Sequence, residues 1–299
     1  MRRTALSAGV AALATMLVAV SPVAADPLGQ RPTYTDRPLS QVPNAAAMGV
    51  RIWSPGLDDG FVPQGLTFTD GAIYVSTYRS EDPGQGRGPC RLYRVNAGSG
   101  AITGMLDLPQ QCGHAGGLAR GRAGRLWVAD TRAIFEIGLE PGDSSAIGRV
   151  LASVRLTGDI KGSFAAGAAD ALWLGTYSKE PGARLYKVPF EKLASGIATL
   201  SEQDATGMVI LPSEAQGAAF DSAGRLWVTR SGSAFGELLR VDAETGAVQQ
   251  RFAMPAGIED ISFEPGGRLW AISEAGSKRW LAWTTFFPVL FQLEVTQLR

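Results

Sequence analysis

The sequence is poor in cysteine and histidine and has no excess of charge of either sign. Among its 299 residues there are two cysteines, Cys90 and Cys112, and a single histidine, His114. Lys plus Arg and Asp plus Glu both number 28, so the formal net charge is zero. A chain without excess positive charge lacks the electrostatic footprint with which proteins bind nucleic acid, and we expect no nucleic-acid partner.

The start of the chain has the layout of an export signal. Arg2 and Arg3 precede an apolar run over 5–20, and Val23 and Ala25 form a small-residue cleavage site. This layout predicts a signal peptide at 1–25 and a secreted or periplasmic protein. A membrane anchor is the alternative, but the run is shorter than the ~20 residues of a spanning helix. We therefore expect no transmembrane segment in the mature chain, while the arginine pair leaves the general and twin-arginine export routes open.

Five segments of the chain repeat one sequence pattern, called the repeated phrase below. Each has a short stretch of small residues, a turn, and an apolar strand that includes an aromatic residue. Taking Gly65, Gly117, Gly162, Gly217 and Asp260 as anchors, the steps between segments range from 43 to 55 residues. All-β repeats with a period of roughly 40–50 residues are typical of propeller blades. We therefore predict an all-β fold, a five-bladed β-propeller, with six blades as the alternative.

The strands within one repeat can be counted from its turns. "TDG", "RAG", "AAD", "SAG" and "PGG" supply the residues that tight hairpins need, and the following strands, such as "RLWV", are almost continuously apolar. Such strands suit a blade that is packed on both faces, and the tryptophans in them are expected to be core residues. A second hairpin over 90–108 or 237–254 then completes four strands. Each blade is therefore predicted to have four strands, from the axis outward.

The last repeat lacks its outer strand, because only four residues follow "VLFQLEV" at 289–295. The segment 49–54 has the layout of an outer strand and precedes the first inner strand. We predict that it completes the last blade and closes the ring by pairing the two chain ends. The predicted organisation is a signal peptide at 1–25, a loose Pro-rich leader at 26–45 and one propeller domain at 46–299.

The two cysteines flank the outer hairpin of the first blade. Cys90 precedes its third strand and Cys112 follows its fourth, so antiparallel pairing brings them close together. An even number of cysteines in an exported chain predicts one disulfide. The alternative is two unrelated buried thiols.

The motifs "PQG" at 63–65 and "AQG" at 215–217, with the "GRLWV" strands, resemble propellers of the regucalcin/gluconolactonase-like superfamily. That group includes strictosidine-synthase-like and streptogramin-lyase-like proteins, and the resemblance covers nearly all of the mature chain. Lactonase-type members hold a divalent cation at the channel mouth with Glu, Asn and Asp. Here Asn44 and Asn96 lie in the leader and in an outer turn, where neither can serve. Lyase-type members use His and Glu with a metal, and this chain has only His114.

Propeller geometry predicts where a site would lie. Loops that enter each inner strand and loops that leave each second strand emerge on the same face, over the axial channel, where functional groups commonly cluster. The flap 79–89 and the aromatic insertion 277–288 are expected on the same face, the insertion as a cover for the core or as a binding surface. The candidate ligand-binding residues are Gln64, Tyr78, His114, Lys161, Tyr177, Gln216, Arg230, Glu259 and Asp260.

Three interpretations of these residues remain open. Lys161 and Glu259 could pair across the channel in a purely structural ring. Glu259 and Asp260, with the amide oxygens of Gln64 and Gln216, could hold one calcium ion, which prefers oxygen ligands. His114 beside Glu259 could act as a general base, which makes these two the candidate catalytic residues.

The function that we expect is an exported, monomeric propeller that binds a ligand or a metal at the axial mouth. A small molecule or a carbohydrate is the expected ligand class. One alternative is a metal-dependent hydrolase, lactonase or lyase of the gluconolactonase-like type. The other is an envelope scaffold for protein–protein interaction.

Overall fold

The inner strands of five β-sheets surround a central axis, as the blades of a propeller do. The computed structural model describes residues 26–84, 88–122, 124–140 and 146–299, so the predicted signal peptide at 1–25 lies outside the described residues. The five inner strands contact one another in a closed ring, each touching the inner strand of the next blade. Four-stranded blades in a ring of five confirm the predicted fold class.

Each blade is one antiparallel sheet whose strands follow one another from the axis outward. Blade 1 holds β2 (Phe61–Thr69), β3 (Ala72–Arg79), β4 (Cys90–Asn96) and β5 (Ile102–Asp107). Blade 2 holds β6 (Gly117–Arg120), β7 (Arg125–Asp130), β8 (Ala133–Leu139) and β9 (Gly148–Leu156). Blade 3 holds β10 (Phe164–Gly167), β11 (Ala171–Gly175), β12 (Ala183–Pro189) and β14 (Gly207–Leu211).

The last two blades complete the ring. Blade 4 holds β15 (Ala215–Phe220), β16 (Leu226–Ser231), β17 (Gly236–Val241) and β18 (Val248–Met254). Blade 5 holds β19 (Ile258–Phe263), β20 (Leu269–Ser273), β21 (Val289–Leu293) and the N-terminal strand β1 (Met48–Trp53). The described helical segments are one short helix, α1 (Phe190–Ala194), and 3-10 turns at Ala45–Ala47, Glu202–Asp204, Lys278–Trp280 and Val295–Gln297. Within the described ranges, no helix has the length and apolar character needed to cross a bilayer.

The ring is closed by pairing between the two ends of the chain. Strand β1 pairs antiparallel with β21, with Arg51 opposite Phe291 and Trp53 opposite Val289. The predicted outer strand at 49–54 is therefore confirmed, with its bounds shifted by one residue. The closure gives the last blade its fourth strand and leaves β21 without an open edge.

The predicted disulfide is also confirmed. Cys90 begins β4 and Cys112 follows β5, and their Cα atoms lie 5.8 Å apart. Antiparallel pairing of the two strands brings these ends together, as the sequence predicted. The bond fixes the end of the flap 79–89 to the loop that leads into blade 2.

The leader at 26–45, which the sequence predicts to be loose, contacts the propeller at several points. Leu28 forms a parallel bridge to Ile52, and the Tyr34 hydroxyl donates a hydrogen bond to the carbonyl of Gly276 (2.7 Å). The Arg37 guanidinium donates to three carbonyls of the aromatic insertion, those of Leu281, Trp283 and Thr284. A Pro-rich polar segment has few hydrogen bonds of its own, but its side chains here satisfy carbonyls of another loop.

A second attachment joins blades 2 and 3. The connection between β12 and β14 leaves its own blade through α1 and forms a two-residue strand, β13 (Thr199–Leu200). Strand β13 pairs parallel with β9, with Thr199 opposite Arg155, and so adds a fifth strand to blade 2. This strap was not predicted, because two residues of pairing leave no pattern in the sequence.

The apolar core lies between neighbouring blades. Val62, Tyr74 and Leu92 of blade 1 pack in one cluster with Leu126 and Phe135 of blade 2. The predicted core role of the repeated tryptophans agrees with their burial in three blades, where Trp127, Trp227 and Trp270 are at most 4 % exposed. Burial of this kind is the main stabilising contribution to the fold.

The repeated phrase also has a polar component, which explains its recurring arginine. In blade 4 the Asp221 carboxylate accepts hydrogen bonds from the Trp227 indole (3.0 Å) and from Arg225 (2.6 Å). In blade 5 the Glu264 carboxylate accepts from the Trp270 indole (3.0 Å) and pairs with Arg268. In these two blades the acidic side chain therefore connects the first hairpin turn to the tryptophan of the second strand and to the arginine beside it.

We predict that Arg37→Ala lowers the free energy of unfolding by about 1.5–3 kcal/mol, because carbonyls of the insertion lose a charged donor. Urea unfolding followed by fluorescence measures this change. Arg149→Ala is the control, since Arg149 is exposed on β9 and its loss should cost less than about 0.5 kcal/mol. Equal stabilities of the two variants would mean that the leader does not contribute to the fold.

Candidate functional site

The register of the inner strands shows which residues are equivalent at the channel. We call two inner-strand residues equivalent when each pairs with the same position of the repeat in its own second strand. The equivalent residues of blades 1 to 5 are Leu66, Leu118, Ala165, Ala218 and Ile261. Two residues earlier lie the mouth positions, which are Gln64, Gly116, Ser163, Gln216 and Glu259. Ser163 therefore occupies the position that the sequence assigned to Lys161. The error arose because Gly162 resembles the anchoring glycines, whereas the equivalent residue of blade 3 is Phe164.

Three of the mouth positions lie on a β-bulge. The register of pairing shifts by one residue at Gln64, at Gln216 and at Glu259–Asp260, in blades 1, 4 and 5. An extra residue in one strand turns its side chain away from the regular pleat, and such bulges often adjoin functional sites. The bulges explain why equivalent positions near the axis carry polar groups rather than core residues.

Asp260 points into the axis rather than to the mouth. Its carboxyl group accepts hydrogen bonds from the backbone amides of Leu66 (3.1 Å), Leu118 (3.0 Å) and Ile261 (3.0 Å), and from that of Ala218. Burial raises the pKa of Asp260 well above its usual range, and the four amides oppose that rise. The calcium hypothesis placed this carboxyl at the mouth, and that part of it is wrong because backbone donors already use both oxygens.

Carboxylates of two blades gather around Tyr177 at the mouth. The pKa of Tyr177 is raised, first by burial and then by the negative charges of Glu214, Glu259 and Glu274. Glu259 is 2 % exposed and Glu274 6 % exposed. Tyr177 follows β11 of blade 3, so its electrostatic contact with blade 5 crosses the channel. Two buried carboxyl groups and a third that is partly exposed therefore belong to this side of the mouth.

Gln64 joins blade 1 to this group. Its side-chain amide donates to Glu274 (2.8 Å) and to the carbonyl of Pro63 (2.9 Å), and the residue is 2 % exposed. Glu274 follows β20, and Glu214 precedes β15 in the turn that enters blade 4. The candidate residues chosen from the sequence included neither Glu274 nor Glu214. A carboxylate just before an inner strand was the available signal for Glu214.

The positive charge of Arg230 is neutralised inside blade 4. Its guanidinium pairs with Glu214 (3.2 Å) and Glu237 (3.1 Å), and it lies over the ring of Phe235. Gln216 is half-buried next to this pair, and Lys161 is half-buried before β10. Arg230 therefore orients Glu214 at the edge of the acidic group.

His114 and Tyr78 form an aromatic wall between blades 1 and 2. Their rings lie 5.3 Å apart, and Tyr78 is 1 % exposed. The Asp130 carboxylate accepts the backbone amides of His114 (2.6 Å), Ala115 (2.9 Å) and Gly113 (3.3 Å). This nest of three amides sets the conformation of the loop that carries His114.

One group of possible metal ligands lies beside this loop. Among the described residues, Cys90, Cys112 and Asp130 are the one set of three such side chains whose ligand atoms lie within 4.8 Å of one another. The two sulfur atoms are bonded to each other, and the carboxylate binds backbone amides. Because the sulfur atoms form a disulfide and the carboxylate accepts backbone hydrogen bonds, this group has a structural role and is not a thiolate metal site.

The flap and the aromatic insertion meet at the rim of the mouth. The buried Arg279 donates to the hydroxyl of Ser80 and to the carbonyls of Asp82 (2.8 Å) and Pro83 (3.1 Å). Phe286 and Phe287 are buried in the core, which supports the interpretation of the insertion as a cover. Trp280 and Trp283 stack on each other at the rim, with ring centroids 4.7 Å apart, and are only partly buried.

Comparison with known proteins relates the chain to other propellers by structure alone. No protein-family model matches the sequence, and no curated protein matches it. The glutaminyl cyclase of Myxococcus xanthus is similar over 83% of this chain and 94% of its own, with a TM-score of 0.57 and 18% identity.

Two other solved propellers show weaker similarity. The calcium-binding protein regucalcin of Agrobacterium tumefaciens matches over 83% of this chain and 94% of its own, with a TM-score of 0.46 and 16% identity. The PQQ-bound aldose sugar dehydrogenase of Streptomyces coelicolor matches over 85% and 97%, with a TM-score of 0.45 and 14% identity. At these identities the likeness shows the fold and transfers no activity.

We predict that Asp130→Ala destabilises the protein by about 1–3 kcal/mol, because buried amides of the His114 loop lose their acceptor. Hydrogen exchange at Gly113, His114 and Ala115 should become faster. Asp107→Ala is the control, since Asp107 is 73% exposed and pairs only at the surface with Arg91, so its loss should cost at most about 1 kcal/mol. Unchanged exchange in the loop would show that Asp130 does not hold it.

Proposed function

We propose that the protein is exported and binds a small organic cation, one that carries a primary ammonium group, at the axial mouth. The observation that carries the proposal is the pair of buried carboxyl groups at the mouth, those of Glu259 (2 % exposed) and Glu274 (6 % exposed), with the Gln64 amide donating to Glu274 (2.8 Å). A site that holds several buried negative charges is complementary to a positive ligand. The disulfide suits an oxidising compartment, and together with the signal-like segment at 1–25 it supports export.

The spacing of these groups favours an organic cation over a bare metal ion. Calcium takes six to eight oxygen ligands at 2.3–2.6 Å, so its carboxylates must converge closely. Among the described residues, no three acidic side chains of the mouth place oxygen atoms within 4.8 Å of one another. Asp260, the carboxyl nearest to Glu259 in sequence, is bound to backbone amides. An ammonium group has only three N–H donors, and neutral oxygens such as that of Gln64 can accept from them, so it does not need three converging carboxylates.

Acceptor groups and aromatic side chains both occur at the mouth. Glu259 and Glu274 carry buried carboxyl groups, and Gln64 carries a side-chain oxygen, all of which are hydrogen-bond acceptors. Tyr177 follows the second strand of blade 3, and Trp280 belongs to the insertion at the rim. A cation over an aromatic face gains roughly 0.5–2 kcal/mol, which supports an ammonium ligand with a short apolar tail.

The test is titration of the purified chain with n-butylammonium chloride by calorimetry at fixed ionic strength. We expect saturable binding that Glu259→Gln and Glu274→Gln each weaken roughly tenfold or more, because each variant removes a charged acceptor. Glu244→Gln removes the same charge from an exposed turn of blade 4 and should leave binding unchanged. Sodium butyrate, a probe of similar size with the opposite charge, should not bind.

Calcium chloride is the competing probe in the same experiment. Saturable calcium binding that depends on Glu259, without n-butylammonium binding, would contradict the organic-cation proposal and favour the metal interpretation. Absence of binding by both probes would contradict a cationic ligand of either kind. Equal effects of Glu244→Gln and Glu259→Gln would place the binding outside the mouth.

A further inference from the structure

The axis of the propeller contains a set of converging backbone donors. The amides of Leu66, Leu118, Ala218 and Ile261 belong to blades 1, 2, 4 and 5 and lie at equivalent positions of their inner strands. The amides of Leu66, Leu118 and Ile261 donate to one carboxyl group, that of Asp260, and the amide of Ala218 acts on the same carboxyl group by lowering its pKa. Backbone amides that converge on one point form a concavity for an anion, as nests do elsewhere in proteins.

The residue that precedes each of these amides explains why only one blade contributes an acidic side chain to the axis. Blades 1, 2 and 4 carry glycine there, and a Cβ atom at Gly65 would lie 2.6 Å from the backbone of Gly117. A Cβ atom at Gly217 would lie 2.6 Å from the Cα atom of Asp260. The inner strands thus approach too closely for side chains in those blades, so only blade 5 supplies a carboxyl to the axis.

The donor set matches a carboxyl group better than a side-chain amide. The two oxygens of a carboxyl group can accept hydrogen bonds from several amides at once. A side-chain amide would present its own N–H groups to some of these donors and leave them unsatisfied. An unsatisfied buried N–H group is costly, so the whole set depends on a full acceptor.

We infer that the axis is a built carboxylate-binding site, formed by backbone amides of four blades and occupied by the chain's own Asp260. The site takes a small monocarboxylate as its ligand class once the resident side chain is removed. It also fixes the bulge that carries Glu259, because Asp260 belongs to the same bulge. This inference stands on the axial geometry and does not depend on what the mouth binds.

The test is rescue of Asp260→Gly by sodium formate. Glycine is the residue that three other blades carry at this position, so the backbone can adopt the required conformation. We expect the melting temperature to fall by roughly 10 °C, because several buried amides lose their acceptor. About 100 mM formate should then raise it by about 3–5 °C, as expected for a ligand that binds only the folded state.

Two controls separate this effect from general salt stabilisation. Asp221→Gly removes another buried carboxylate, which binds Trp227 and Arg225 at a turn, and it should show no formate rescue beyond that of the unmodified chain. Formamide has the size of formate but half its acceptor capacity and two N–H donors, and it should not rescue Asp260→Gly. Equal rescue of both glycine variants, or equal rescue by formamide, would overturn the inference.

A second variant keeps the inference testable where Asp260→Gly does not fold. Asp260→Asn retains the size of the side chain but cannot accept from all four amides. Hydrogen exchange at Leu66, Leu118 and Ala218 should become at least tenfold faster than in the unmodified chain, relative to the second-strand amides of Val75 and Val228. Unchanged ratios would show that the carboxylate does not hold these amides, and the inference would be wrong whatever the mouth binds.

Discussion

The hydrogen bonds between Asp260 and the backbone amides of four blades are the interaction on which the inner part of this propeller depends. The inner strands approach so closely that glycine is required beside three of these amides, and close approach buries N–H groups that have no sheet partner on the axial side. One carboxyl group satisfies them. Glu259 and Asp260 lie on the same bulge, so the acidic mouth and the axial hydrogen bonds depend on one local feature of blade 5.

Three attachments hold the outer part of the ring. Strand β1 and the leader join the two chain ends, the strap with β13 joins blades 2 and 3, and the disulfide fixes the flap beside the mouth. The first two include strand pairings between segments that are distant in sequence, and the third is a covalent bond between two loops. At the mouth, a hydrogen bond from Gln64 to Glu274 links blades 1 and 5 directly.

The repeated phrase was sufficient to predict the blades, the closing strand and the disulfide, because these follow from periodicity and from hairpin geometry. The register of blade 3 was not predictable, since Gly162 imitates the anchoring glycine and displaces Lys161 by two positions. The attachment of the leader was missed because Arg37 acts through carbonyls that are distant in sequence. The axial role of Asp260 was missed for a similar reason: sequence spacing places a residue on a strand but does not show which side of a bulge it faces.

The role of Asp260 is tested most directly by NMR of the deuterated protein, which detects scalar couplings across the axial hydrogen bonds. Couplings from the side-chain carboxyl carbon of Asp260 to the amide nitrogens of Leu66, Leu118 and Ala218 would show that one group binds three neighbouring blades at once. We expect all three couplings, together with slow exchange of the same amides. Absence of the couplings, with exchange as fast as in surface turns, would contradict the claim that the propeller is organised around this carboxyl group.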